Sequence, residues 1–342
     1  MKLPADIVGR LRGYYADRRV CVTGGAGFIG GHLCDALISL GASVSIIDDL
    51  SNSDASHVAE LVELDAERLR FVHASILDDA AMREAMEGAR TVFHLAALGS
   101  VPKSIEQPQR TWSVNATGTV RVLEAARESR CERVVYSASS SAYGDDPAMP
   151  KVETAGTRPV SPYAASKLAG EQALYAWSKS FGVSTISLRY FNIFGPRQSA
   201  DSAYAAVIAA FAKRLLNNES PVIFGDGGHS RDFTFVSNAV LANLLAGAST
   251  RALSGEVVNV GTGTRVDLLE LARTMGELCG VPHLSPVHEP ERAGDVKHSQ
   301  ADLARAREVL GYAPVTGLRE GLEETVAWYR ELYAGASGRG GA

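Results

Sequence analysis

The sequence predicts an α/β protein built on a doubly wound parallel sheet, with a smaller, discontinuous α/β lobe added to it. Three observations carry that prediction. Short apolar runs alternate with helical patterns through the first half of the chain. The first long run passes directly into a glycine-rich turn, and the next ends in two aspartates. Strands alternating with helices favour a parallel sheet with ligands at the carboxyl ends of its strands.

Taken in order, residues 1–18 read as a short amphipathic helix with Ile7, Val8 and Leu11 on one face, and no function is assigned to it. Residues 19–23, Arg-Val-Cys-Val-Thr, read as a buried strand. It runs into Gly24-Gly25-Ala26-Gly27-Phe28-Ile29-Gly30 and then a helical pattern that lasts through Leu40 and stops at Gly41. Glycines at 24, 27 and 30 let the backbone turn tightly and approach a phosphate. The helix start offers unpaired N–H groups and a partial positive charge, which is what a dinucleotide pyrophosphate needs. The spacing is G-x-x-G-x-x-G, and its position between strand and helix is what gives it weight.

The strand at 43–47 ends in Asp48-Asp49, near the offset of ~20 residues at which a carboxylate binds an adenosine ribose. A carboxylate there disfavours a 2′-phosphate, so NAD is expected over NADP. Asp48 is read as the ligand and Asp49 as a turn residue. The rhythm continues with a strand at 69–72, a helix near 78–86, a strand at 91–97, a helix spanning roughly 112–128 and a strand at 133–137. Small residues gather at the carboxyl ends: Ala96-Ala97, and Ser139-Ser140-Ser141. His94 reads as a packed core histidine. Asn115 reads either as an ordinary helix residue or as an amide that bridges backbone to cofactor.

Ser161-Pro162-Tyr163-Ala164-Ala165-Ser166-Lys167 carries the chemistry. Ser161 suits a helix cap and Pro162 a first turn, which puts Tyr163 and Lys167 on one face about one turn apart. A free tyrosine is only about a thousandth ionised at neutral pH, so a tyrosine general base needs roughly 4 kcal/mol of help. A nearby ammonium or an oxidised nicotinamide supplies help of that kind. Ser139, placed at the end of a strand, is the hydroxyl expected to hydrogen-bond the reacting oxygen and relay its proton to Tyr163.

The bulk composition narrows the classes further. The chain has 342 residues, 46% apolar and 21% charged, with 34 Lys and Arg against 39 Asp and Glu and a net charge of −5. These are the proportions of a soluble globular protein without a basic nucleic-acid surface. Cys21, Cys34, Cys131 and Cys279 form no C-x-x-C or Cys/His cluster, so reduced cysteines are expected and no metal site. There is no apolar signal core at the N-terminus and no run near the ~20 residues of a membrane span, which makes the cytoplasm the expected compartment.

TGGAGFIG at 23–30, FHLAA at 93–97, SASSSAYG at 137–144, SPYAASK at 161–167 and LRYFNIFGPRQ at 188–198 together resemble the extended short-chain dehydrogenase/reductase family. GDGGHSRDF at 225–233 and ERAGDVKHS at 291–299 carry the likeness to nearly the whole chain. Within it the sequence looks most like the UDP-hexose 4-epimerases, in particular bacterial UDP-N-acetylglucosamine 4-epimerases of polysaccharide biosynthesis, which share the AALGSVPKSI type of segment at 96–105.

The resemblance implies a Rossmann-type domain over 1–191 plus about 231–264. A nucleotide-sugar-binding domain would take 192–230 plus about 265–334, and 335–342 a flexible tail. It implies Ser139, Tyr163 and Lys167 as the catalytic set. NAD would be held by Gly24, Gly27, Phe28, Ile29, Gly30, Asp48, Ser75, Ile76, Leu95, Ala96, Ala97, Asn115 and Tyr190, together with Tyr163 and Lys167. Members commonly carry an aspartate where Ser75 stands, so the adenine contact there is the one departure. On the substrate side, Arg231 and Arg292 fall in diphosphate-binding segments, with Asp295 facing a ribose hydroxyl. Gly99, Ser100, Ser139, Ser140, Ser141, Asn192, Ala206, Val207 and Val222 would contact sugar and uridine. Ser299 leaves room for an N-acetyl group where a tyrosine would fill the space.

The expected activity is reversible 4-epimerisation of UDP-N-acetylglucosamine and UDP-N-acetylgalactosamine, with UDP-glucose and UDP-galactose as a further pair, by a homodimer. UDP-glucuronate 4-epimerisation, 4,6-dehydration, a decarboxylating reaction and a non-catalytic NAD-binding role are the alternatives. Dehydratases of this group usually place an Asp-Glu pair where Ser140 and Ser141 stand.

Overall fold

The computed structural model describes residues 4–53, 56–200, 206–291 and 297–338, without the side chains of 64 and 335–338. A leading helix α1 (Ala5–Tyr15) precedes the alternation β1 (Arg19–Thr23), α2 (Phe28–Ser39), β2 (Ser43–Asp48), α3 (Ser56–Leu64), β3 (Leu69–His73), α4 (Asp79–Ala85) and β4 (Thr91–His94). Two short helices, α5 (Val101–Glu106) and α6 (Pro108–Trp112), and a π-helical turn over Ser113–Thr117 lead into α7 (Gly118–Glu128). Then come β5 (Arg133–Ser139), the long α8 (Pro162–Phe181) and β6 (Ser184–Tyr190). The remainder runs β7 (Ile193–Phe194), α9 (Val207–Leu216), β8 (Val222–Phe224), β9 (Ser230–Arg231), β10 (Thr234–Phe235), α10 (Val236–Gly247) and β11 (Ser254–Val260). It closes with β12 (Val266–Asp267), α11 (Leu268–Cys279), β13 (Val287–Glu289), α12 (Ala304–Leu310) and α13 (Leu318–Gly338). Helix α13 thus enters the segment read as a tail, whose residues 339–342 lie outside the described ones.

Seven strands form one parallel sheet in the order β11-β6-β5-β4-β1-β2-β3. The order reverses between β1 and β4, which opens a crevice at the carboxyl ends of those two strands. Helices cover both faces, so successive strand residues enter different cores. Val20 and Val22 of β1, Ile46 of β2 and Phe93 of β4 pack on one face. Cys21, Ile47 and Val92 pack on the other with Val122 of α7 and Leu174 of α8. Buried on both sides, these strands read as continuous apolar runs.

Two strand ends differ from expectation, and both differences shape the crevice. The apolar run at 91–97 leaves the sheet after His94: Leu95 N makes a last backbone bond to Thr23 O (3.0 Å), and Ala96 N then turns to Thr23 Oγ1 (3.2 Å). Strand β5 instead continues past 137 to pair Ser139 with Tyr190. The stretch at 233–236 contributes only a two-residue strand beside β7, after which Val236 opens the wholly buried helix α10. All four cysteines are free, three of them buried. Helix α1 docks through Leu11 and Tyr15, whose hydroxyl donates to Leu244 O at 2.8 Å.

Arg133, at the start of β5, fastens the sheet to the end of α10. Its guanidinium donates to the carbonyls of Ala246 (3.1 Å), Gly247 (3.1 Å), Ser249 (2.6 Å) and Arg251 (3.0 Å) and to Ser184 Oγ (3.2 Å). A cation there also meets the negative end of the helix dipole. Arg133→Leu strands those acceptors, and urea unfolding should show a loss of roughly 3 kcal/mol; a loss within experimental error would refute the role given to this contact.

Candidate functional site

Gly24 follows β1 in the left-handed region (φ 73°), and its N–H bonds Ile47 O at 2.9 Å. A Cβ on Gly24 would lie 2.6 Å from Ala96 N, and one on Gly30 would lie 2.1 Å from Gly24 O. Gly24 is therefore required by its conformation and its neighbour, and Gly30 by the close seating of α2 on the turn. Gly27 caps α2 with no side chain bonded to the helix N–H groups, which leaves them facing the crevice for an anion.

Asp48 ends β2 with its carboxylate accepting from Ala26 N (3.1 Å), Leu50 N (2.9 Å) and Ser53 Oγ (3.2 Å). Burial pushes its pKa up while these donors oppose the rise. The carboxylate thus staples the glycine turn. A cleft of about 110 Å³ opens here, lined by Gly24, Gly27, Asp48, Ser75, Ile76 and Leu95–Leu98 among others. Ser75 accepts from Leu77 N at 3.3 Å.

Other residues expected at the cofactor sit beside the cleft rather than on its wall. Phe28 lies edge-on to His32 with ring centroids 5.9 Å apart, and Ile29 packs on the core. Tyr190 buries its hydroxyl between Ser137 Oγ (3.0 Å) and Asn243 Nδ2 (2.6 Å). Asn115 sits in the π-helical turn with its amide committed: Oδ1 accepts from Leu98 N (2.8 Å), and Nδ2 donates to Leu98 O (3.2 Å) and Ser166 Oγ (3.1 Å). It holds the loop after β4 against α8.

Helix α8 begins as its sequence suggests, with Ser161 accepting from Ala164 N at 3.2 Å and Pro162 in the first turn. Tyr163 N is held by Ser104 Oγ at 3.1 Å. At the end of β5, Ser139 Oγ accepts from Ser141 N (3.2 Å) and Ser141 Oγ (2.8 Å). Its own proton is left to meet the Tyr163 hydroxyl, a bond that favours the phenolate. Ser139 and Ser141 are thereby brought together with Tyr163.

Lys167 shares that helix face, one turn along from Tyr163. Burial raises the Tyr163 pKa, and the Ser139 bond is what opposes the rise. The Lys167 ammonium lies 4.4 Å from the centre of the Tyr136 ring. Burial drives its pKa down to about 7, with Glu171 one turn on pulling the other way. Glu171 is itself clamped by Arg189 in a buried two-bond pair at 2.9 and 2.8 Å, which limits its effect on the lysine.

A second, larger cleft of about 510 Å³ is lined by Asn192, Ala206, Val207, Val222 and Arg231, five of the residues expected on the substrate side. Asn192, at φ 34°, donates to Asp232 O (3.2 Å) and Ser299 Oγ (3.1 Å). Arg231 Nη1 donates to Lys297 O at 2.7 Å. Ser299 is buried and its N–H bonds Ser230 O at 3.0 Å. Gly99 is exposed, and Ser100 caps α5 by accepting from Lys103 N at 3.3 Å. Arg292 and Asp295 lie outside the described residues. Missing from the sequence reading were Phe211, Phe224, Lys213 and Arg214, which line the same cleft. The amphipathic run Val207–Leu216, with two cations on its last turn, was the available signal.

An open parallel sheet with a free helix start and a carboxylate at its switch point is the frame of the nucleotide-dependent α/β enzymes. Residues 20–261 match the NAD dependent epimerase/dehydratase family. A UDP-glucose 4-epimerase of Mycolicibacterium smegmatis is 40% identical over 316 residues, 91% of this chain and 98% of its own length. Among solved structures, the UDP-N-acetylglucosamine 4-epimerase from Methanobrevibacter ruminantium M1 in complex with UDP-N-acetylmuramic acid matches with a TM-score of 0.87 at 37% identity, over 93% of this chain and 99% of that one. The UDP-glucose 4-epimerase from Thermotoga maritima with UDP-glucose matches with a TM-score of 0.86 at 35% identity, over 92% and 99%. The chain belongs to the NAD dependent epimerase/dehydratase family, and NAD is its cofactor. The glycine cradle, which any Cβ at 24 or 30 would fill, fits that cofactor.

The depressed lysine makes a thermodynamic prediction. Between pH 7 and the ordinary lysine value, the unfolded chain keeps a proton on Lys167 that the folded chain has lost, so stability contributed by this site rises with pH. Unfolding of ligand-free wild type and Lys167→Met from pH 6 to pH 9 should show wild type gaining on the variant as pH rises. Parallel curves would contradict the assigned shift.

Proposed function

We propose that the protein interconverts UDP-N-acetylglucosamine and UDP-N-acetylgalactosamine by reversible 4-epimerisation, and accepts UDP-glucose and UDP-galactose as well. The observation that carries the N-acetyl preference is Ser299: a short side chain, turned onto Asn192 at 3.1 Å, where a bulky one would fill the space beside the sugar. In this reading residues 192–230 and 265–334 hold the nucleotide sugar. The aromatic and cationic lining of the larger cleft suits uridine and its diphosphate, because a guanidinium such as that of Arg231 matches phosphate geometry.

NAD, when bound, supplies reversible hydride acceptance. Tyr163 takes the proton of the sugar 4-hydroxyl and later returns it, with Ser139 hydrogen-bonded to the same oxygen. Lys167, poised to lose or hold a proton near neutrality, sets the charge beside them. Firm anchoring of the diphosphate lets the 4-keto sugar turn and present its other face without escaping. Dehydration lacks support because Ser140 and Ser141 occupy the positions where an acid and a base would be needed. The exposed side chains of Trp112 and Phe181, near the ends of the helices over 112–128 and 162–181, support a homodimer through those helices. The reading places the enzyme in the cytoplasm.

Incubation with UDP-N-acetylglucosamine, UDP-glucose and UDP-glucuronate separately, followed by chromatography and mass measurement, tests this. The expected product of the first is its 4-epimer at unchanged mass; loss of water would establish a dehydratase, and no product from NAD-loaded protein would end the proposal. Tyr163→Phe should lower kcat by about 10²–10⁴-fold while leaving NAD bound, and an unaffected kcat would remove Tyr163 from the role of base.

A further inference from the structure

His94 is the last residue of β4, buried directly beneath the site, and no step above uses it. Its hydrogen bonds fit one polarity. Thr119 Oγ1 lies 2.6 Å from Asn115 O, an atom that can only accept, so the threonine proton is spent there. His94 Nε2, 2.9 Å from the same Thr119 oxygen, must therefore donate to it. Burial and the neighbouring Lys167 push the imidazole pKa down to about 3, so the ring is neutral and Nδ1 carries a lone pair. Thr23 Oγ1 donates to that lone pair at 2.7 Å and in turn accepts from Ala96 N at 3.2 Å.

The result is a directed chain from Ala96 N–H through Thr23, His94 and Thr119 to Asn115 O. Its two ends matter. Ala96 lines the cofactor cleft, while the Asn115 amide bonds Ser166 Oγ, which donates to Tyr163 O at 2.7 Å. The His94 ring also lies against Tyr136, centroids 5.3 Å apart, and Tyr136 carries the Lys167 ammonium over its face and donates to Lys167 O at 3.3 Å.

We infer that His94 is a positioning residue. As the neutral Nε2–H tautomer it joins the loop that walls the cofactor cleft to the turn that holds the Tyr163 helix, and so sets the distance between cofactor and base. Its effect on turnover rests on Tyr163 being the base; its tautomer and its effect on NAD affinity do not.

Long-range proton–nitrogen spectra of ¹⁵N-histidine-labelled protein at pH 7, with His94→Gln to assign the ring, should show a proton on Nε2 and none on Nδ1. A proton on Nδ1, or on both, overturns the inference. Substitution gives the second reading. His94→Leu removes both bonds and should weaken NAD binding measured by calorimetry and lower kcat by about 10²-fold, with KM for the UDP-sugar unchanged because the larger cleft is untouched. His94→Gln, which keeps a donor for Thr119, should recover most of both losses. Thr119→Val should resemble His94→Leu, and it serves if the leucine variant does not fold. A rise in KM in step with the loss of kcat, or a glutamine variant no better than leucine, would reduce His94 to a packing residue. If wild type converts no UDP-sugar, the proposed function fails, while the spectra and the NAD affinities still decide this inference.

Discussion

Helix α2 can aim its free end at the switch point only because nothing stands between Gly30 and the Gly24 carbonyl oxygen, where a methyl group would come within 2.1 Å. That approach sets the height of the helix over the sheet and the path of the turn that precedes it. It also brings the turn against Ala96, so that β1 and β4 present one continuous rim. The cleft, the Asp48 carboxylate and the loop after β4 all take their positions from this contact.

Around the rim the protein keeps charge scarce and supervised. Lys167 is buried against an aromatic face rather than beside a carboxylate. The nearest acid, Glu171, is already saturated by Arg189. The His94 imidazole is kept neutral under it. A phenol in such surroundings resists ionisation, and the positive charge an oxidised nicotinamide brings would have few competitors there.

Features set by neighbours in sequence were the legible ones. The glycine turn, Asp48, the Ser161 cap and the start of α8 each depend on a few adjacent residues, and each stands as its local pattern suggests. The end of β4 was misjudged because Leu95–Ala97 keep an apolar pattern after the backbone has turned out of the sheet. Asn115 could not be read because its partners are 17 and 51 residues away. The same holds for Lys167, whose contact with Tyr136 bridges a helix and a strand. The lining of the larger cleft by Phe211 and Phe224 needed the mutual placement of α9 and β8, which no single periodicity encodes.

Asp48, on the wall of the smaller cleft, accepts from Ala26 and Leu50 and so holds the glycine turn in shape. Coenzyme choice is therefore not a freely adjustable property of this scaffold. A lineage drifting toward the phosphorylated dinucleotide would have to rebuild the turn before it could give up the acid.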